Sequence, residues 1–428
     1  MKFDLLFVVL RMYIGATIPR DAKESTISTQ PNITAKASPI FSSEDARNLA
    51  RKRQPKLVFD FIDGATGREV ASQRNTARFD DIMLQPRVMA HVETRMITTR
   101  FLGRDYGLPF GIAPMGMCDL AWPGADRALA QSACDFNLPV CLSAAASSTI
   151  EEMRHWAGEN SWFQLYVNGS IDEALVLVER ARTAGYDTLV LTVDVPQVAR
   201  RLRDLRNGFD MPFRLGISNF FDFALHPRWS LTTLWHGTPE PANIGKTFDR
   251  GASRAGADWY FLDRLRALWP GRLIVKGVTS EADAKRIQAA GADAIYVSNH
   301  GGRQLDSAPA AIDCLPRIRQ ALGPDFPLVF DSGLRSGEDI VKALALGADF
   351  VMLGRPMLFA LGADGARGVN ALIRGLGEEI NVVLAQIGLN DLRQLSTEVI
   401  NSHAEPICHA VEGPKPVHRS AQLKGTGS

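Results

Sequence analysis

Several ingredients are scarce in this 428-residue chain, and each scarcity excludes a class of protein. There are five cysteines, Cys118, Cys134, Cys141, Cys314 and Cys408, scattered and without the spacing of a metal site. An odd, dispersed set argues against a disulfide framework, and Cys408 beside His409 in the tail is a single pair, too little for a metal site; buried thiols in a reducing, cytoplasmic compartment are expected. Charge of one sign is also lacking: 48 Lys and Arg face 47 Asp and Glu, a formal net charge of +1. That balance gives no electrostatic footprint for nucleic acid. The apolar run Leu5–Leu10, between Lys2 and Arg11, is far too short to cross a bilayer, and no clear small-residue cleavage site follows it. Residues 1–40 therefore read as a flexible leader, rich in Ser, Thr and Pro beyond residue 17, and residues 401–428 as a loose tail.

The chain is 46% hydrophobic and 22% charged, enough to bury a large core. From about residue 108, eight short apolar runs alternate with amphipathic segments. The runs are Pro109–Ala113, Leu138–Leu142, Trp162–Tyr166, Thr188–Val193, Arg272–Lys276, Ala292–Val297, Pro327–Phe330 and Phe350–Leu353. Helical periodicity marks Ile171–Ala184, Ser280–Ala290 and Gly337–Leu346, and Gly185, Gly291 and Gly347 stand where helices would end. Eight strand–helix units predict a TIM (β/α)8 barrel over residues 41–400. A doubly wound sheet is the weaker alternative, because no dinucleotide glycine fingerprint follows the first strand.

Two segments depart from a plain barrel. Residues 42–106 form a lead-in with helical character at Ser43–Arg53 and Leu57–Ile62. Residues 195–256 form an excursion between the fourth strand and its expected helix, Ala257–Trp269. The excursion carries Phe209, Phe213, Phe220, Phe221, Phe223, Trp229 and Trp235, interleaved with Arg214, His226 and Arg228. It reads first as a lid on the barrel mouth and second as a peripheral membrane patch.

Chemistry in such a barrel gathers at the C-terminal ends of the strands. The sixth run leads into Ser298-Asn299-His300-Gly301-Gly302-Arg303-Gln304-Leu305-Asp306. Here His300 offers a base near neutral pH and Arg303 a fork for a carboxylate, with glycines between them that would let a flat ring and a small acid approach the backbone. Other strand ends deliver Pro114-Met115-Gly116, Ser143, Gln164 and Tyr166, Thr192 and Asp194, Lys276, Asp331-Ser332-Gly333-Leu334-Arg335 and Gly354-Arg355. Gly333, Arg335, Gly354 and Arg355 make a phosphate site at the corner where such sites recur. Ser143, Gln164 and Thr192 suit the edge of a heterocycle, and Lys276 supplies positive charge where a reduced ring would be negative. A phosphorylated heterocycle with a cation beside it points to FMN. His300, Arg303, Tyr166 and Asp194 remain for the substrate.

From about Phe41 to Leu395 the chain resembles the FMN-dependent α-hydroxy-acid dehydrogenase/oxidase family, which includes glycolate oxidase, L-lactate dehydrogenase and (S)-mandelate dehydrogenase. Ser298–Asp306, Gln164-Leu165-Tyr166-Val167, Asp331-Ser332-Gly333 and Leu353-Gly354-Arg355 carry the match. Leu225-His226-Pro227-Arg228-Trp229-Ser230-Leu231 and His236-Gly237-Thr238-Pro239 resemble the mandelate dehydrogenase branch. The resemblance implies oxidation of an (S)-2-hydroxy acid to a 2-keto acid. It makes His300 the base, Asp194 its partner, Arg303 and Arg201 the carboxylate ligands, Tyr166 a hydrogen-bonder to substrate, and Lys276 the neighbour of the flavin N1/C2 carbonyl. It also implies a tetramer, and an electron acceptor that is a quinone, a cytochrome or O2; a quinone would go with peripheral attachment at the inner membrane. Three positions depart from the family pattern. Phe61 stands where a substrate-binding Tyr is usual, Gly116 matches the mandelate branch, and Ala145 occupies a place filled by Trp in glycolate oxidase. Together they favour a bulky or aromatic α-substituent over a small one.

Overall fold

The computed structural model describes residues 38–209, 217–237, 239–244 and 253–401. The leader through residue 37, the tail from residue 402 with Cys408 and His409, and Phe213, Arg214 and Thr238 of the excursion lie outside them. The eight runs form strands β1 (Phe110–Met115), β2 (Val140–Ser143), β3 (Ser161–Leu165), β4 (Thr188–Thr192), β5 (Arg272–Val278), β6 (Ala294–Val297), β7 (Leu328–Phe330) and β8 (Phe350–Leu353). They close into a parallel barrel in sequence order, with β8 pairing β1. The strands are buried on both faces, as expected of a sheet jacketed by helices. Side chains such as Trp162, Tyr296, Phe350 and Met352 fill the barrel interior. A hairpin, Thr99–Phe101 with Arg104–Tyr106, adds to that interior cluster: the rings of Phe101 and Tyr106 lie 5.2 and 5.3 Å from Phe350.

The lead-in contributes α1 (Ser43–Arg53), α2 (Lys56–Asp63) and α3 (Val70–Asp80). Helix α1 begins at Ser42, whose hydroxyl accepts from Asp45 N at 3.1 Å, and carries Arg51, Lys52 and Arg53 in its last turn, complementing the helix dipole. The outer ring comprises α4 (Ala125–Asp135), α5 (Ile150–Ala157), α6 (Ile171–Thr183), α10 (Trp259–Leu268), α11 (Glu281–Ala289), α12 (Ala311–Leu322), α13 (Gly337–Ala345) and α14 (Arg355–Gln386). Gly185, Gly291 and Gly347 follow α6, α11 and α13 with positive φ, as their position predicted. One expectation fails: Cys118, Cys141 and Cys314 are buried free thiols, but Cys134 is exposed. Helix α4 turns Leu129, Ala130 and Ala133 inward, which leaves Cys134 facing out at the helix end.

The excursion contains α7 (Leu202–Arg206), α8 (Ile217–Leu225) and α9 (Pro227–His236). Its aromatic residues divide by face. Trp229 is buried, stacks on Phe223 at 5.5 Å and donates its indole N–H to Leu120 O at 2.9 Å. Phe220, Phe221, Leu225, Leu231 and Trp235 face outward, Trp235 at 84% exposure. One face thus covers the barrel as a lid would, and the other is an exposed apolar surface. No helix among the described residues is long and apolar enough to cross a membrane.

Candidate active site

Strand register builds the floor of the site. The β2–β3 pairing sets Ser143 level with Gln164, and the β4–β5 pairing sets Thr192 level with Lys276. Ser143 donates to Gln164 Oε1 at 2.9 Å, and Gln164 Nε2 donates to Thr192 Oγ1 at 3.0 Å. Lys276, 4% exposed, donates to Ser298 Oγ at 2.7 Å and pairs with Asp331 at 3.0 Å. Burial alone would lower the lysine pKa, but Asp331 and then Asp194 outweigh it and hold the ammonium above its ordinary value. Burial likewise pushes Asp331 up, and Lys276 together with hydrogen bonds from Ser298 and Ser332 pulls it below the usual carboxylate range. Both partners therefore stay charged near neutrality.

His300 stands after β6 with φ +58, a left-handed conformation that costs a side-chain-bearing residue about 1 kcal/mol. Two contacts hold it there. Its backbone N–H donates to Ser298 Oγ at 3.0 Å, and Nδ1 lies 3.0 and 3.2 Å from the two Asp194 oxygens. With Nδ1 engaged, Nε2 is the ring nitrogen left to take a proton. The carboxylate reaches this place because β5 breaks register at Gly277, whose φ is +102; a Cβ there would lie 2.5 Å from Asp194 Cβ. The glycines after His300 serve a different purpose from the one their sequence suggested. A Cβ on Gly302 would meet Ser72 N at 2.4 Å, and one on Gly301 would meet Arg355 Nη1 at 2.9 Å. They admit α3 and an arginine of this chain, and the space they clear is filled by protein.

The opposite wall comes from the lead-in and the excursion. Phe61, on α2, stacks face to face on Phe209 at 4.4 Å and 3°. The guanidiniums of Arg303 and Arg201 lie 5.4 and 5.9 Å from the Phe61 ring centroid. Arg303 Nη1 also donates to the carbonyls of Phe61 and Gly64 at 3.0 and 2.8 Å, at the C-terminal end of α2 where the dipole is negative. Burial, and then the charge of Asp194, raise the pKa of Tyr166, so its phenol keeps its proton. Gly116 and Ala145 share one wall, but the space at Gly116 is partly taken already: a Cβ there would lie 3.2 Å from Ala145 Cβ and O.

Arg335 and Arg355 mark the other end of the same pocket, beside Gly333 and Gly354. Burial lowers both guanidinium pKa values, and Arg355, further depressed by Arg335, falls to about 10. Two desolvated cations side by side, flanked by glycine backbone, supply positive charge that a phosphate dianion would balance, although Arg355 already donates to the carbonyls of Ile62, Gly64 and Gly301. These residues fit the phosphate of FMN, and the Lys276 ammonium fits the electron-rich side of its ring.

One continuous pocket collects most of the residues singled out in the sequence, including Pro114, Met115, Ala145, Thr192, Arg201 and Lys276. Gln164, Asp194 and Ser298 stand directly behind it, holding Ser143, His300 and Lys276. Nothing in the sequence marks Arg254, which lines the pocket with its guanidinium 4.7 Å from the Tyr166 ring. Its neighbours in sequence are unremarkable, and only the return of the excursion brings it there. Met352 and Leu358 were also not singled out; Met352 lies in a run that reads as ordinary strand.

A family model for FMN-dependent dehydrogenase matches residues 50–402. The chain is 38% identical over 387 residues to (S)-mandelate dehydrogenase of Pseudomonas putida, covering 87% of this chain and 98% of that one. It is 37% identical to L-lactate oxidase of a Nostoc species, covering 86% of this chain and all of that one. A crystal structure described as monotopic membrane protein (S)-mandelate dehydrogenase superposes with a TM-score of 0.81 at 38% identity, over 85% of this chain and 99% of that one. The chain belongs to the FMN-dependent dehydrogenase family.

Proposed function

We propose that this enzyme oxidises (S)-2-hydroxy acids with a bulky or aromatic α-substituent, such as mandelate, to 2-keto acids. The observation that carries the reading is the His300–Asp194 pair, at 3.0 Å, facing the same pocket as the Arg201 and Arg303 guanidiniums. Arg303 and Arg201 grip the substrate carboxylate, which fixes the α-carbon. Tyr166 donates a hydrogen bond to the substrate from a phenol that stays protonated. His300 Nε2 takes the proton released in oxidation, and Asp194 holds the resulting imidazolium in place. FMN, when bound, supplies the two-electron acceptor, and Lys276 meets the negative charge that accumulates beside it. Phe61 lacks the hydroxyl that a small hydroxy acid would use, and Ala145 leaves room for a ring. The test is anaerobic bleaching of the flavin by a panel of (S)-2-hydroxy acids. Mandelate should bleach it faster than lactate or glycolate, and a flavin that no hydroxy acid reduces would overturn the reading.

The outer face of α8 and α9 supports peripheral attachment to a membrane, with Phe221 and Trp235 as anchors and Arg228 exposed beside them for anionic headgroups. Electrons would then pass to a quinone in the same bilayer. Trp235→Ser with Phe221→Ser should release the enzyme from anionic vesicles; release of neither wild type nor variant by any treatment short of proteolysis would count against it. Oxidases stand among the similar proteins, so O2 is the rival acceptor. Stoichiometric hydrogen peroxide in aerobic turnover would favour it. A homotetramer is the proposed assembly, testable by sedimentation.

A further inference from the structure

The connection between α2 and α3, with the adjoining helix ends (residues 60–71), touches the His300 loop, the start of the excursion at Arg200, and Arg355. Thr66 N donates to Gly302 O and Gly67 N to Arg200 O, each at 3.2 Å. The Thr66 hydroxyl also donates to Arg200 O at 3.2 Å. The Asp306 carboxylate, at the end of the His300 loop, accepts from Arg68 N and Val70 N at 2.8 and 2.7 Å. The carbonyls of Phe61, Ile62 and Gly64 receive Arg303, and those of Ile62 and Gly64 also receive Arg355. Three loops far apart in sequence are therefore registered against one short connection.

That connection is itself clamped by charge. Arg203, two residues beyond Arg201, reaches Asp63 Oδ2 at 2.8 Å with Nη1, lies 3.5 Å from Asp60, and binds Glu69 with Nη2. Arg47 holds the other side of Asp63 through Nε at 2.7 Å and Nη2 at 3.1 Å. Glu69 turns its second oxygen to Ala65 N at 3.1 Å. The acidic side chains are 10% and 16% exposed, and Arg203 is 33% exposed. A shielded, multidentate arrangement of this kind fixes geometry as well as adding energy.

We propose that the Asp63–Arg203–Glu69 clamp is a positioning device for the substrate carboxylate, setting the distance between Arg201 on the excursion and Arg303 on the His300 loop. Arg203 touches neither substrate nor cofactor. It acts by tying the helix that Arg201 precedes as N-cap to the connection that receives Arg303. This assignment rests on the proposed function, which makes those two arginines the carboxylate ligands. It goes further in giving the lead-in a part in recognition.

The test compares wild type with Arg203→Met, Arg203→Lys and Glu69→Gln, each as FMN-loaded protein. Affinity for phenylacetate, an unreactive aryl carboxylate, is read from its perturbation of flavin absorbance, beside KM and kcat for mandelate. Arg203→Met should weaken phenylacetate binding and raise KM about ten-fold or more, with a much smaller change in kcat and in FMN affinity. Arg203→Lys should recover part of the loss, since one charge can reach one carboxylate but cannot bridge two. Glu69→Gln removes one arm and should give a smaller rise; it remains readable if Arg203→Met does not fold. Unchanged phenylacetate affinity in a folded variant, or a loss of FMN in step with it, would overturn the proposal. If no hydroxy acid reduces the wild-type flavin, the proposed reaction fails while the phenylacetate comparison still decides the clamp.

Discussion

The two ends of the pocket are built on different plans. The end proposed to hold the cofactor, the cofactor end, stands on strand termini. Ser143, Thr192, Lys276, Asp331, Gly354 and Arg355 stand at the ends of strands of one closed barrel, and their spacing follows from register. The end proposed for the substrate, the substrate end, has little strand in it. Phe61 comes from the lead-in, Arg201, Phe209 and Arg254 from the excursion, and Arg303 from a loop that leans on α2. A barrel can thus keep one cofactor while the acid it accepts is changed by segments added outside the strands. His300 sits at the boundary: it leaves a strand, but its geometry is held from both sides.

The largest expected break falls at that boundary. His300→Ala should retain FMN and its yellow colour, yet lose substrate reduction of the flavin by about 10³-fold or more in anaerobic stopped flow. An active variant would dissolve the assigned division of labour. At the cofactor end, Arg355→Met should weaken FMN by about ten- to a hundred-fold in a fluorescence titration of apoprotein, the worth of one or two charge-assisted hydrogen bonds. Equal weakening by Arg201→Met would erase the distinction between the ends. Phe61→Tyr is a smaller change of about 1 kcal/mol, or roughly five-fold. It should lower KM for lactate and glycolate more than for mandelate and leave FMN affinity alone.

The last prediction concerns pH. The folded-state pKa of Asp331 is lowered, so its contribution to stability is complete above the unfolded carboxylate value of about 3.9 and is lost as pH falls through the lowered one. Asp331→Asn should therefore flatten the acid limb of the stability curve below about pH 4, measured by thermal denaturation in the FMN-loaded protein. An acid limb unchanged by Asp331→Asn would show that the Lys276–Asp331 pair is not what anchors the cofactor end.

The cofactor end was largely legible in the sequence because its residues sit at fixed offsets from apolar runs. Once eight runs imply a barrel, each strand end names its own contribution. The substrate end was legible only in part. Arg303 and His300 travel with a strand, but nothing local in the stretch around Arg254 marks it as part of a pocket wall. The glycines of the His300 loop were read correctly as a demand for space, and the space turned out to hold Ser72 and Arg355. Periodicity reports that a residue must be small; it does not report what fills the gap. The excursion shows the same limit, since its aromatic residues have one composition and two fates, Trp229 buried and Trp235 exposed.

By itself the sequence determined the barrel and which residues stand at its strand ends, both local consequences of period and position along the chain. The tertiary structure decided what depends on segments meeting from far away: Arg254 over Tyr166, Phe61 against Phe209, and a lead-in connection that gathers Gly302, Arg200 and Arg303. Those contacts join residues more than a hundred positions apart in most cases, where no local pattern couples one side chain to another.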